Sequence, residues 1–524
     1  MKRIRQKRDS WGSRLGIIMA VAGSAVGLGN FLRFPVQAAG NGGGAFMIPY
    51  FISLLLLGIP LMWIEWTLGR YGGGFEHGSA PGIFHSVWQK NRFIKYFGVI
   101  GIFGPFIIFV YYTFIESWSL GYSFYSLKGL YTQATDQAAM QSFLKGYQGL
   151  EQNAYFSSIV PAYIFFLIAF ALNIGVVYFG IKGGIERLAR IAMPILLVVS
   201  VILVARVFCL GTPDPTRPDW NFSNGLGFLW NPDFSALKSA KVWLAAAGQV
   251  FFTLSVGIGV ILTYASYLKK GDDVALSGLT AVSMNEFAEV ILGASFIIPA
   301  AFVFFGPLEI QSIAKQGAFD LGFVTMPLVL GKIPMASFFG FLWFGLLFLA
   351  GITSSVSLAQ PAIAFLEDEF NISRKKAVAI FAGVSFALCQ PAIFFLSRGV
   401  VNELDFWGGT FCLVLFGTVE AILFGWVFGM DKAWEEIHHG ADIRVPGIYK
   451  FIIKYVTPFF LILILGFWFY QEGLPTIFLK GVASADKPFV LGTRIGLVFL
   501  FLLLSVMVKI AWRRRKMGRR PASA

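Results

Sequence analysis

Two apolar segments of the chain contain glycine and oxygen-bearing residues where a continuous helix would be expected. The first is residues 23–30 (GSAVGLGN) and the second is residues 253–259 (TLSVGIG). Glycine inside a helix costs about 0.5–1 kcal/mol relative to alanine. If the helices break here, the freed backbone groups cannot face lipid and must line a cavity or bind a ligand. Close packing of small residues between helices is the alternative explanation.

A broken helix has two ends with opposite partial charges. The N–H groups that begin the second half suit a carboxylate. The carbonyl groups that end the first half suit a small cation or an ammonium group. One interrupted span could therefore bind both ends of an amino-acid zwitterion.

Neutral oxygen ligands for sodium occur at matching depth in four spans. Such residues in membrane helices also serve as hydrogen-bond partners between helices, and the spacing alone leaves both roles open. The candidate ligands are Asn30, Thr253, Asn285, Thr353 and Ser354.

Charged residues near mid-membrane are rare and are functional candidates. Arg33 lies one turn outward from the first break, and Asp405 begins a span on the outer side, so the two could pair. Arg8 and Asp368 could pair in the same way on the cytoplasmic side. A purely structural ion pair is the alternative in each case. Three carboxylates lie within apolar runs: Glu65, Glu116 and Glu289.

The elements that must position these residues are membrane spans. Of 524 residues, 56% are hydrophobic and only 13% are charged, whereas soluble domains are about 25% charged. A span requires about 20 mostly apolar residues. The sequence predicts twelve, near 14–38, 44–70, 94–124, 158–180, 189–210, 243–268, 278–306, 338–366, 376–397, 406–429, 448–471 and 490–512.

The net charge of +14 comes mainly from both termini and from short loops on one side. This pattern follows the positive-inside rule and predicts a multi-pass protein of the cell inner membrane with both termini cytoplasmic. It does not resemble the basic stripe of a nucleic-acid-binding protein, so no nucleic-acid partner is expected. The spans contain no histidine and no nucleophile–base set, which argues against an enzyme.

The ordered motifs resemble those of the neurotransmitter:sodium symporter family over nearly the whole chain. The matching segments are AVGLGNFLRFP (25–35), GIPLMWIEWTLGRYGG (58–73), YYTFIESWSLG (111–121), GQVFFTLSVGIG (248–259), TYASY (263–267), NEFAEVILG (285–293), AGITSS (350–355), LEDEF (366–370), ELDFWGGT (403–410) and DKAWEEI (431–437).

The resemblance implies an all-α membrane protein with twelve transmembrane helices and a 5+5 inverted repeat, with helices 1 and 6 broken at mid-membrane. The expected divisions are a cytoplasmic segment 1–10, a first repeat 11–210 and a second repeat 211–430, followed by two helices in 431–512 and a basic cytoplasmic tail 513–524.

The resemblance also implies two sodium sites. The first would use Ala25, Asn30, Thr253 and Asn285, together with the substrate carboxylate. The second would use Gly23, Val26, Ala350, Thr353 and Ser354.

The substrate would bind between the two breaks, with Arg33 and Asp405 as an outer gate. The cytoplasmic gate would consist of Arg8, Ser266, Tyr267 and Asp368. The implied substrate-binding residues are Ala25, Leu28, Gly29, Ile108, Tyr112, Phe252, Thr253, Ser255, Ile258, Ser354 and Leu358.

A sodium-coupled symporter that imports a neutral, mainly apolar amino acid is the predicted function. Chloride-dependent members of the family carry a neutral residue at the position of Glu289, so this carboxylate predicts chloride independence. None of the implied substrate-binding residues is charged, so a charged substrate group would be buried unpaired. A non-transporting amino-acid sensor of the same fold would have the same binding residues. The sequence leaves open the exact substrate and the oligomeric state, with a dimer as one option.

Overall fold

The computed structural model describes residues 8–518, with side chains through Arg515. Within this range the chain is helical, with no β-strand, so the predicted all-α class is confirmed. The remaining parts of the predicted terminal segments, 1–7 and 519–524, lie outside the described residues. The principal helices are α1 (Arg14–Ala25), α2 (Gly29–Gly40), α3 (Gly44–Gly73), α4 (Ile94–Leu127), α5 (Val160–Tyr178), α6 (Ile181–Phe208), α7 (Ala240–Leu254), α8 (Val260–Ala265), α9 (Ala275–Gln316), α10 (Ala318–Gly331), α11 (Ala336–Phe370), α12 (Arg374–Phe394), α13 (Val400–His438), α14 (Ile448–Ile477) and α15 (Lys487–Gly518).

Ten of these helices are long and apolar enough to cross a membrane within the described range, and the pair α1 and α2 would make an eleventh span. Helices α7 and α8 are each too short to meet the same length criterion. The predicted total of twelve spans would follow if α7 and α8 form one interrupted span. That total remains a prediction.

The first interruption lies between α1 and α2, whose axes differ by 45°. Val26 has a ψ of 86°, which ends the α-helix, and a π-helical turn restarts the chain at Gly29. The position coincides with the glycine-containing segment 23–30. The backbone N–H and C=O groups at this break are therefore released from helical hydrogen bonding.

The second interruption lies between α7 and α8. Ser255, Gly257 and Gly259 have φ angles of +53°, +75° and +79°, which only glycine adopts without a steric cost. The Glu65 carboxylate of α3 accepts hydrogen bonds from the N–H groups of Gly257 (2.5 Å) and Leu262 (3.3 Å). Glu65 thus satisfies backbone donors that would otherwise be buried without partners.

Replacing Gly259 with alanine should lower stability markedly. A Cβ atom there would lie 2.7 Å from the Gly101 carbonyl oxygen, and the φ of +79° is strained for alanine. The left-handed conformation alone costs roughly 1–2 kcal/mol. Thermal unfolding in detergent measures the effect. Gly248→Ala is the matched control, because nothing lies within 4 Å of its added Cβ; an equal loss in both variants would contradict the argument.

Helices α4 and α11 pack along each other and form the centre of the bundle. A Cβ at Gly351 would lie 2.7 Å from Cγ of Glu116, so the glycine makes room for this carboxylate. Asn173 of α5 donates to Glu116 (3.2 Å) and accepts from Ser355 (2.5 Å). The buried carboxylate Glu116 therefore joins three helices, which supports its structural interpretation.

Candidate functional site

A cavity of about 50 Å³ lies between the two helix interruptions. Ten of the eleven predicted substrate-binding residues line it, and the eleventh, Leu28, lines an adjoining outer cavity of about 420 Å³. Within residues 8–518, no charged side chain borders the central cavity. Its lining is Ser24, Ala25, Gly27, Gly29, Asn30, Ile108, Tyr112, Phe252, Thr253, Ser255, Ile258, Ser354, Ser357, Leu358, Gly409 and Leu413.

Backbone donors and acceptors reach this cavity as the broken helix predicts. The N–H of Leu28 donates to the hydroxyl of Tyr112 (3.2 Å). The carbonyl of Ser24 accepts from the hydroxyls of Ser255 (2.9 Å) and Ser354 (3.0 Å). Donors at the start of α2 and acceptors at the end of α1 therefore lie at one site, which suits a zwitterion.

The predicted ligands of the first sodium site converge around one amide. The Asn30 Nδ2 donates to Asn285 Oδ1 (2.8 Å), Thr253 Oγ1 (3.0 Å) and Glu289 Oε2 (2.9 Å). All four side chains are at most 1% exposed. Side chains from three helices, α2, α7 and α9, thus meet at a single buried point.

Glu289 is the carboxylate of this cluster. Its Oε1 accepts from Gln249 (2.9 Å) and Tyr50 (3.3 Å), and Thr253 donates to its Oε2. Tyr50 also donates to Glu286 (2.8 Å). These partners are all neutral donors, so no cationic side chain among them balances a charge on Glu289.

Of the predicted residues of the second site, Gly23 of α1 lies against Thr353 and Ser354 of α11. A Cβ at Gly23 would lie 3.2 Å from that of Thr353, which is tighter than most such contacts, so glycine eases this close approach. The Ser354 hydroxyl is 3.4 Å from the Gly23 carbonyl oxygen, and Thr353 donates to the Ala350 carbonyl (3.1 Å). Val26 follows as the C-cap of α1.

The two predicted gates differ in their geometry. On the outer side, Asp405 accepts from Tyr111 (2.5 Å), while the Arg33 guanidinium lies 4.2 Å from the Phe252 ring centre. Arg33 and Asp405 line the same outer cavity but are not ion-paired in this structure. Their direct pairing therefore stays a prediction.

The four predicted cytoplasmic gate residues are joined directly. Arg8 donates to the carbonyl and the hydroxyl of Ser266 (both 2.8 Å). Arg8 also pairs with Asp368 (3.4 Å) and lies 4.6 Å from the Tyr267 ring centre. A cavity of about 600 Å³ borders this predicted gate.

Sequence reasoning did not assign five of the residues that line the central cavity: Ser24, Gly27, Ser357, Gly409 and Leu413. The Ser357 hydroxyl is 2.7 Å from that of Ser24. Gly409 and Leu413 come from α13, next to Asp405. Gly409 lies within the gate motif ELDFWGGT, but that motif did not indicate a pocket.

These features define a membrane transporter with a central site between interrupted helices, and comparison with known proteins identifies the family. The model of the "Sodium:neurotransmitter symporter family" matches residues 8–153 and 131–478. The chain belongs to this family, whose members are symporters and not enzymes.

Relatives and a solved structure agree with this assignment. An "uncharacterized sodium-dependent transporter" of Methanocaldococcus jannaschii is 33% identical, with 87% of this chain and 89% of that protein covered. A "sodium-dependent dopamine transporter" of Caenorhabditis elegans is 28% identical, with 87% and 79% covered. The crystal structure of MhsT in complex with L-phenylalanine matches with a TM-score of 0.74 and 28% identity, covering 87% of this chain and 99% of MhsT. This chain is therefore a multi-pass membrane protein of a sodium-dependent transporter family.

Proposed function

We propose that this protein imports a neutral, mainly apolar L-amino acid together with sodium, by alternating access and without chloride. The observation that carries the proposal is the convergence of Asn30, Thr253, Asn285 and Glu289 beside the cavity between the two interruptions. A sodium ion held there would lie next to the substrate carboxylate.

The substrate class follows from the lining of the cavity. The backbone ends of α1 and α2 would bind the amino and carboxylate groups, and Tyr112 would donate to the carboxylate. Ile108, Ile258 and Leu358 would contact the side chain. A charged side chain would lose its hydration without a partner, so neutral apolar amino acids are favoured. MhsT, the structural relative, was crystallised with L-phenylalanine.

Two sodium sites are proposed. The first uses Ala25, Asn30, Thr253 and Asn285, and the second uses Gly23, Val26, Ala350, Thr353 and Ser354. Binding of substrate and of the first ion is reciprocal in free energy, because they share the substrate carboxylate. Glu289 would supply the negative charge that chloride supplies elsewhere in the family, such as in members named sodium- and chloride-dependent.

Transport requires that only one side of the site be open at a time. Closure of Phe252 and Arg33 over the site would separate it from the outside. Release of Arg8 from Asp368 and Ser266 would then open the cytoplasmic path. The proposed location is the cell inner membrane, with both termini cytoplasmic.

Uptake into proteoliposomes tests the proposal. The purified protein should accumulate a labelled neutral amino acid when a sodium gradient is imposed, equally well with chloride or gluconate as the anion. Binding of each of the twenty amino acids in sodium and in potassium identifies the substrate. Sodium-dependent binding without accumulation would support an amino-acid sensor and contradict the symporter proposal.

A further inference from the structure

Two carboxylates hold the start of α1 against α6, and neither of them belongs to the Arg8–Asp368 gate. Glu186, in the first turns of α6, accepts from the Gly12 N–H (2.6 Å) and from the Ser13 hydroxyl (3.1 Å). Asp9, which precedes α1, accepts from the Ile181 N–H (2.7 Å), where α6 begins. Each carboxylate thus binds the beginning of the other's helix.

The electrostatics of this arrangement are favourable in both directions. The N-terminal end of a helix carries a partial positive charge and free N–H groups, so a carboxylate stabilises it. Ser13 is the N-cap of α1, and its oxygen also accepts from the Gly16 N–H (2.9 Å). Arg190 donates to Ser13 (2.5 Å) and lies 3.4 Å from Glu186. Glu186 is only 2% exposed, so its contacts replace hydration that it has lost.

Three glycines leave the space for these carboxylates. A Cβ at Gly16 would lie 2.1 Å from Glu186 Oε1, and one at Gly12 would lie 3.1 Å from the same carboxylate. A Cβ at Gly180, whose φ is +85°, would lie 2.6 Å from Asp9 Oδ2. The backbone is therefore shaped around both contacts, which distinguishes them from incidental surface contacts.

We propose that Asp9 and Glu186 form a second cytoplasmic gate, a reciprocal clamp between α1 and α6 that must open before substrate and sodium leave on that side. The segment 8–13 is bound on its other face by the Ser266 contacts of Arg8 and by the Trp11 indole, which donates to the Tyr264 carbonyl (2.9 Å). The beginning of α1 therefore cannot move away from the pore axis until both sets of contacts are lost. This inference rests on the proposed transport cycle.

The test measures how readily the cytoplasmic path opens. A single reporter cysteine replaces Ala364, which is fully buried. Ala364 lies beside Gly78, and a Cβ added at Gly78 would approach Arg8, Asp368 and Ala364, so the reporter is close to the Arg8–Asp368 gate. The background carries serine at the three native cysteines, Cys209, Cys389 and Cys412. The rate of labelling by a polar thiol reagent is followed in the purified full-length protein, in sodium and in potassium.

Glu186→Gln should accelerate labelling in sodium by about tenfold or more, since hydrogen bonds to a charged group are lost. Asp9→Asn and Gly16→Ala should change the rate in the same direction. Glu435→Gln is the matched control, because this exposed glutamate is also near the cytoplasmic side but contacts neither helix start.

Labelling at the wild-type rate in both Glu186→Gln and Asp9→Asn would overturn the clamp. Asp9 is exposed, so we expect Asp9→Asn to fold. If Glu186→Gln does not fold, the labelling rate of Asp9→Asn alone decides whether the clamp exists. Sodium-dependent amino-acid binding is measured on the same samples. Wild-type protein that binds no amino acid would refute the proposed function, whereas variants that bind normally but label at the wild-type rate would refute only the clamp.

Discussion

Glu289→Gln should convert chloride-independent transport into chloride-dependent transport. The variant keeps the shape of the side chain but removes the negative charge beside Asn30 and Thr253. The charge pair in question would be Glu289 and the proposed sodium ion. Removing one partner of a buried charge pair costs about 3–5 kcal/mol, so uptake in gluconate should fall roughly a hundredfold or more. Chloride, bound near the same position, should restore a large part of the lost rate. Initial uptake rates across a chloride series measure both effects.

Glu116→Gln is the control for this experiment. Glu116 is also a fully buried carboxylate within the membrane, but its partner is Asn173 and not the sodium ligands. Neutralising it should produce no requirement for chloride. If Glu289→Gln transported equally in gluconate and in chloride, the proposed charge-balancing role of Glu289 would be wrong.

Asn285→Ala should weaken sodium binding and substrate binding together. Asn285 accepts from Asn30 (2.8 Å) and donates to Thr253 (3.1 Å). Its loss would remove one proposed sodium ligand and the hydrogen bonds that position two others. Leaving these buried groups without partners costs about 1–3 kcal/mol. The half-saturating sodium concentration should therefore rise about tenfold. Because the ion and the substrate share one carboxylate, the substrate dissociation constant at fixed sodium should rise as well.

Titrations of sodium at several substrate concentrations separate this result from a general loss of structure. Gln390→Ala is the control. It removes an amide of α12 that accepts from Tyr163 (3.0 Å), and α12 contains none of the proposed sodium ligands. It should leave both affinities unchanged. A substrate affinity that changed while the sodium response did not would exclude a shared ion site at Asn285.

The sequence predicted the all-α class from local signals, whereas the residues of the central cavity came from the resemblance to the family. Long apolar runs reveal helices that cross a membrane. Glycine and neutral polar residues inside such runs reveal an interruption, and Gly257 and Gly259 indeed adopt positive φ angles. The family motifs then supplied the residues that line the cavity from distant parts of the chain.

What the sequence could not predict depends on contacts between helices. Asn30 and Arg33 lie in a π-helical turn, Gly29–Arg33, and Glu289 lies in another, Phe287–Gly293. Such turns often occur at functional sites, but they have no simple periodic signal. Likewise, the sequence around Lys182 and Glu186 does not indicate that Glu186 contacts Gly12 and Ser13. Only the packing of α1 on α6 brings them together.

The sizes of the three cavities determine where an electrical driving force would act. Spaces of about 420 and 600 Å³ lie on either side of a central space of about 50 Å³. If filled with water, the two larger spaces would each take the potential of their own side, and the membrane voltage would fall across the packed region between them, which includes the twelve residues of α1, a length of about 18 Å. At about 2.3 kcal/mol per charge per 100 mV, a sodium ion would receive most of this energy while it crosses that region, and turnover should be voltage-dependent.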